Sequence, residues 1–173
     1  VNTSKLDELD DYSELSDILN LNSDNKYEIN SNNLKWNALG KDILYQGNTS
    51  KDLPVSVSVV YKLNGEEKTV DEILGKEGRV TIEIKYINND RHGMLYTPFV
   101  VTMGTIIDSE NNSNINVTNG KVVTTGSKNI IVGLAAPGLY ESLNLDELKN
   151  LDIITISYDS TKFELSSIYS VIT

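Results

Sequence analysis

Apolar and polar residues alternate with a period of two through the middle of this chain. In Arg79–Ile87, Val80, Ile82, Ile84 and Tyr86 face one way while Thr81, Glu83 and Lys85 face the other. That is the pattern of a strand with one buried face. Val55, Val57 and Val59 alternate with Ser56 and Ser58, and Pro54 stands at the start, where a strand tolerates it. Asn64-Gly65 separates VVYKL from EEKTV and predicts a type I′ hairpin, since both residues accept positive φ. Thr69 and Glu72 have capping-box spacing and Gly75 follows, which predicts a single helical turn over Val70–Leu74.

Further along, Tyr96–Ile107 is apolar but interrupted by Pro98 and Gly104, which predicts a bulge or an edge position. Asp108–Asn114 reads as an exposed loop. Asn119-Gly120 predicts a second hairpin, joining Ile115–Thr118 to Lys121–Thr124. Asn129–Ala135 is a run of the buried-strand type, ended by Pro137-Gly138. Asn144 with Glu147 predicts a short helix to Lys149. Ile153–Tyr158 and Lys162–Ser170 are expected as paired strands around Asp159-Ser160.

The N-terminal stretch speaks a different language. Ser4 with Asp7, and Asp11 with Glu14, suit helix caps, the second helix running to about Asn20. Leu6, Leu9, Tyr12, Leu15 and Ile18 recur every third residue, a spacing that drifts around a helix instead of keeping one stripe. Two short helical pieces are expected, then a polar, turn-rich linker over Asn20–Asn33. Leu34–Trp36 and Asp42–Gln46 are expected as the first strands of the body. The expected organisation is an acidic helical arm and linker over 1–33 and a β-rich domain over 34–173, or one continuous domain. The fold class is mainly β: sandwich-like antiparallel sheets with a few short helices.

Charge narrows the partners. The chain has 173 residues and a formal charge of −10. Acids gather at the N-terminus, where Asp7, Glu8, Asp10, Asp11, Glu14, Asp17, Asp24 and Glu28 face only Lys5 and Lys26. An acidic chain without a basic stripe repels phosphate backbones and anionic lipid, so nucleic acid is not an expected partner. The chain has no cysteine, which excludes disulfides, thiolate nucleophiles and cysteine-held metals. No apolar window is long enough to predict a membrane span.

Catalytic chemistry finds little to stand on. His92 is the one imidazole, in Asn-Asp-Arg-His-Gly, and no Gly-x-Ser-x-Gly elbow accompanies it. Gly75 and Gly78 lack the Lys-Ser/Thr of a phosphate loop and read as a helix stop and a turn. No enzymatic activity and no cofactor are expected. Asp108, Glu110 and Asn112 supply hard oxygens in one loop and are the candidate ligands should calcium bind, although their spacing is not that of an EF-hand. Tyrosines are spread over most elements, suited to strand packing and to stacking on a sugar or a protein partner. Trp36 reads as a core anchor. Loops on a rigid scaffold are where contacts concentrate, so Arg91, His92 and Tyr96 are the contact-surface candidates.

Several short motifs occur together in order: WNALGKDILYQG from Trp36 to Gly47, Leu53-Pro54-Val55, Tyr61-Lys62-Leu63-Asn64-Gly65, EILGKEGRV over Glu72–Val80, Tyr96-Thr97-Pro98-Phe99-Val100, VTNGKV over Val117–Val122, VGLAAPGLYESL over Val132–Leu143 and Phe163-Glu164-Leu165. From Trp36 onward the chain resembles the ectodomain of a group of large membrane proteins of Firmicutes with Leu-x-x-Gly heptad coils, loosely like the phage-infection proteins. The resemblance implies the extracellular face of a bacterial envelope and a membrane-tethered parent protein. It implies no catalytic residue. The expected function is an extracytoplasmic binding or architectural domain, contacting a protein or a cell-wall glycan. The rival expectation is a carbohydrate-active or carbohydrate-binding domain, which needs two acids facing one cleft or exposed aromatic rings.

Overall fold

The computed structural model describes residues 2–173 and is mainly β, with 53% strand, 7% helix and several antiparallel sheets. It divides into two compact units, one running to Asp52 and the other spanning Leu53–Thr173.

The first unit carries β1 (Glu8–Tyr12), β2 (Ser16–Asn20), β3 (Tyr27–Asn30), β4 (Asn33–Asn37) and β5 (Tyr45–Asn48). β1, β4 and β3 form one antiparallel sheet in that order, and β2 pairs with β5. The expected helices are therefore strands, and the expected linker contains β3. Asp11 does not cap a helix. Its carboxylate accepts the Tyr12 N–H and, at 2.7 Å, the Tyr45 hydroxyl. The drifting apolar spacing gave a helix no stable stripe, whereas pairing with β4 sets Leu9 opposite the buried Trp36. Tertiary pairing outweighs weak capping signals. Trp36 is the core anchor expected, with the rings of Tyr27 and Tyr45 centred 4.8 and 5.2 Å away. The compact unit ends at Asp52 and not near residue 33. The strand expected at Asp42–Gln46 lies slightly later, at Tyr45–Asn48.

The second unit is a two-sheet sandwich. Its strands are β6 (Val55–Leu63), β7 (Glu66–Lys68), β8 (Gly78–Asn88), β9 (Arg91–His92), β10 (Leu95–Tyr96), β11 (Val101–Asp108), β12 (Asn112–Val117), β13 (Gly120–Thr125), β14 (Lys128–Ala135), β15 (Ile153–Ser160) and β16 (Ile168–Ile172). One sheet has the order β12-β15-β8-β6-β7 and the other β13-β14-β11-β16. Val80, Ile82, Ile84 and Tyr86 of β8 pack with Ile154, Ile156 and Tyr158 of β15 on one side of the core. Val101, Met103, Ile131 and Ala135 of the other sheet complete it. Each of the larger aliphatic side chains among these contributes about 1.5–3 kcal/mol of burial.

Local chemistry sets several turns as expected. Asn64 (φ 53°) and Gly65 (φ 87°) form the β6–β7 hairpin. Helix α1 (Val70–Ile73) starts at Thr69, whose N–H donates to Glu72 Oε2 at 2.8 Å.

Other turns depart from expectation. Asn119-Gly120 is not a hairpin, because β12 pairs with β15 and β13 with β14, so the turn carries the chain from one sheet to the other. Asn119 fixes this corner by donating to the carbonyls of Asn150 and Ile153, both at 3.1 Å. A side chain at Gly120 would place Cβ 2.3 Å from the Val132 carbonyl. Gly104 marks neither a bulge nor an edge, since β11 pairs in unbroken register with β14 on one side and β16 on the other. The Asp108–Asn114 loop is shorter than expected because β12 already begins at Asn112. Asn144 does not start a helix. It ends α2 (Leu139–Leu143) in a left-handed conformation, and a 3-10 turn follows at Asp146–Leu148. β15 and β16 are not paired with each other, because β15 joins β8 and β16 joins β11.

Candidate functional site

The contact candidates Arg91, His92 and Tyr96 sit on the small β9–β10 ribbon, where Leu95 lies opposite His92 and Tyr96 opposite Arg91. The pairing puts Arg91 and Tyr96 on one face and His92 on the other. The Arg91 guanidinium lies 5.6 Å from the centre of the Tyr96 ring, a cation–π distance, and its Nε donates to the Gly93 carbonyl. His92 Nε2 lies 3.1 Å from Asp90 Oδ1, and the imidazole is 77% exposed. Among the described residues no hydroxyl bonds to that imidazole, so the ribbon assembles no nucleophile beside it. Met94 at its tip is 83% exposed.

Below the ribbon, Asn88 ties three segments together. Its Nδ2 donates to the Thr97 carbonyl (2.7 Å) and the Pro137 carbonyl (2.9 Å), and its Oδ1 accepts the Asp90 N–H (3.0 Å). Next to it lies a hollow of about 200 Å³ reached by Lys85, Tyr96, Glu141 and Asp152. Two acids thus share a recess, but Lys85 stands 3.8 Å from Asp152 and the volume falls below the ~300 Å³ typical of ligand pockets.

The calcium candidates serve their own loop. Asp108 Oδ1 accepts the Glu110 N–H at 2.8 Å, and the Asp108 carbonyl accepts Asn112 Nδ2 at 2.9 Å. Asn112 Oδ1 is enclosed without a partner. Among the described residues, no group of three or more His, Cys, Asp or Glu side chains is placed to hold a metal ion.

The most distinctive surface is elsewhere. Residues on β11, β14, β13 and β16 alternate between the core and the outside, and the outward positions are largely apolar. Register sets them in rows. Val132 lies opposite Gly104, which lies opposite Tyr169; Val123 lies opposite Ile130, which lies opposite Ile106; Leu134 lies opposite Thr102, which lies opposite Val171. Leu134 is 54% exposed and Tyr169 is 72% exposed. Gly104 has open space where a side chain would stand. It floors a groove of about 490 Å³ bounded by Ile106, Ile130, Ser166, Ser167 and Tyr169.

The outer face of the other sheet makes the contrast. There Thr81, Glu83 and Lys85 alternate with Ile82 and Ile84, and Thr155 and Ser157 lie opposite Glu83 and Thr81. Lys62 and Glu83 pair across that face at 2.8 Å. Its hollow, of about 570 Å³, is lined by Ser58, Glu83, Lys85, Asn119 and Lys149 among others.

The apolar face was not foreseen from sequence. Its signal lies in Asn129–Ala135, where an unbroken apolar run reads as a strand covered on both sides. The structure buries Asn129, Ile131, Gly133 and Ala135 and leaves Ile130, Val132 and Leu134 outside.

Compared with family models, curated proteins and solved structures, the chain matches none.

Proposed function

We propose that this chain is a non-catalytic contact module on the outer side of a bacterial envelope, part of a membrane-tethered protein, and that it holds a protein partner on the outer face of its four-stranded sheet. The observation that carries this reading is the array of Ile106, Val123, Ile130, Val132, Leu134 and Val171 on one solvent-facing sheet. Apolar patches of this kind on a folded protein are characteristic of interaction surfaces. Charged residues stay at the margins of the face, where Lys121, Lys128 and Asp108 sit. A polar rim around an apolar centre is the anatomy of a protein interface. The ordered motifs from Trp36 to Leu165 support the envelope location.

The test is photo-crosslinking in cells that make the full-length protein, with the photoreactive residue at Val132 or, as a control, at Thr81 on the polar sheet. A protein adduct from Val132 and none from Thr81 is expected. Equal adducts from both, or turnover in a hydrolase screen that His92→Ala abolishes, would overturn the reading.

One observation favours a second reading, a glycan-binding groove. The exposed Tyr169 ring flanks the Gly104 groove together with the hydroxyl-bearing Ser166 and Ser167, and such rings stack on sugars. Calorimetry with soluble cell-wall glycan fragments decides it: heat that Tyr169→Ala removes supports the groove as a sugar site, and no heat from the unaltered protein eliminates it.

A further inference from the structure

The two sheets of the sandwich do not end together. Val100 and Thr173 exchange N–H···O bonds in both directions, at 2.9 and 3.0 Å. In antiparallel pairing, hydrogen-bonded pairs alternate. Thr102–Val171 and Gly104–Tyr169 are therefore bonded pairs as well, and the backbone groups of Ile168, Ser170 and Ile172 point away from β11. β16 is the last strand of its sheet, so these N–H and C=O groups have no strand partner among the described residues. The side chains of the same three residues share the inner face with Val101, Met103 and Thr105.

Across the core, Tyr86 of β8 reaches β16, its Oη 2.7 Å from Ser170 Oγ. β6 is the next strand outward from β8. Its Val57 and Val59 lie opposite Tyr86 and Ile84, so they share the core-facing side. Yet Val57 is 47% exposed and Val59 is 41% exposed. Phe163 covers Tyr61, further along β6, with ring centroids 6.2 Å apart. Among the described residues nothing comparable covers the two valines. The four-stranded sheet is one strand short, above a ledge of core-facing valines.

We infer that this side of the sandwich is a strand-acceptor slot: an extended segment of a second polypeptide pairs with β16 and lays apolar side chains from alternate positions over Val57 and Val59. Three features define the occupant. The unpaired backbone groups at Ile168, Ser170 and Ile172 match another β-strand and not a helix or a small ligand. The ledge requires apolar residues two apart, on the inward side only. Ile168–Thr173 carries no charge, and neither does Ser56–Val60, so the segment needs none. A second copy pairing β16 to β16 is an outcome of the test: a dimer in sedimentation that the peptide dissociates would overturn the reading of a separate polypeptide as the occupant. This slot is separate from the outer apolar face and does not depend on it.

The experiment uses the whole chain and a synthetic heptapeptide of alternating Thr and Val with blocked ends. Peptide binding is read by fluorescence anisotropy and amide exchange by mass spectrometry or NMR. Without peptide, the amides of Ile168, Ser170 and Ile172 exchange fast. With saturating peptide they slow by about tenfold or more, as hydrogen-bonded strand amides do. Val59→Lys, at an exposed position, weakens binding by about tenfold or more with an unchanged melting temperature. Ser170→Pro also weakens binding, by removing an outward-pointing N–H that β11 does not use, and lowers the melting temperature because it deletes the hydroxyl that meets Tyr86. Ile130→Lys, on the outer face, leaves peptide binding unaltered, which separates failure here from failure of the contact face. No binding at about 1 mM peptide, or binding that Val59→Lys and Ser170→Pro both leave intact, overturns the slot.

Discussion

The hydroxyls of Tyr86 and Ser170 meet at 2.7 Å across the sandwich and join β8 to the last strand of the facing sheet. Beyond this bridge one sheet stops and the other continues with β6. Tyr86 is 1% exposed, and burial pushes its phenol up although the Ser170 hydroxyl works against the shift.

Alkaline sensitivity follows from the buried phenols. Burial holds Tyr158 well above the ordinary tyrosine range, with Tyr61 adding to the shift, and burial raises Tyr61 as well. Unfolded tyrosines ionise near ~10 while these keep their protons, so the folded state binds more protons and stability falls as pH rises above ~10. Urea midpoints measured on either side of that pH should drop, and Tyr158→Phe should flatten the drop. At the acid end, Asp159 is held below its ordinary value by Asn114 and then Arg79, and Glu72 by the Thr69 N–H and hydroxyl. Their contribution is present above ~4 and is lost as pH falls through the lowered values. Both carboxylates are exposed, so the acid limb should be shallow.

Three glycines in neighbouring strands should respond in opposite directions. A Cβ at Gly133 would stand 2.8 Å from Ile154 Cδ1 and 3.1 Å from Met103 Cε. Gly133→Ala should cost about 1–3 kcal/mol by overpacking. Gly120→Ala should cost at least as much, because the Val132 carbonyl in its way is backbone and cannot swing aside. Gly104→Ala meets nothing and should stabilise the chain by about 0.5–1 kcal/mol, since glycine weakens a strand. Urea denaturation followed by far-UV circular dichroism ranks all three.

Asn88→Asp should destabilise the β9–β10 region strongly. The substitution turns a donor toward the Thr97 and Pro137 carbonyls into a carboxylate facing two acceptors. Leaving such a group unsatisfied costs about 1–3 kcal/mol, and more when charged. Protonation relieves part of this, so the deficit relative to the unaltered chain should shrink below about pH 5. Amide exchange at Asp90 and Thr97 reports the loosening.

What the sequence disclosed tracks how local the cause was. β8 was legible from Val80 to Tyr86 because each side chain reports its own face. Asn64-Gly65 and Thr69–Glu72 were legible because their geometry closes within a few residues. Asn119-Gly120 misled because a turn of the same chemistry serves a hairpin or a sheet-to-sheet corner, and only the partners of β12 and β13 distinguish them. The N-terminal strands were hidden because their evidence is the pairing of Leu9 with Trp36, far away in the chain. Of the site, Arg91 and Tyr96 do come together, with His92 on the other side of their ribbon. The outer face was not legible because Ile130, Val132 and Leu134 look like core in sequence, whereas among the described residues nothing covers them.

The most direct measurement is the size of the complex formed by the full-length protein in its own cells, resolved on a native gel for the unaltered protein and for Ile130→Lys/Leu134→Lys. The unfolding midpoint of each chain is measured alongside. A contact role for the outer face requires the complex to disappear while the midpoint stays close to that of the unaltered chain. A complex of unchanged size, or a stability loss matching the ~2–5 kcal/mol expected for Ile131→Ala in the core, would contradict it.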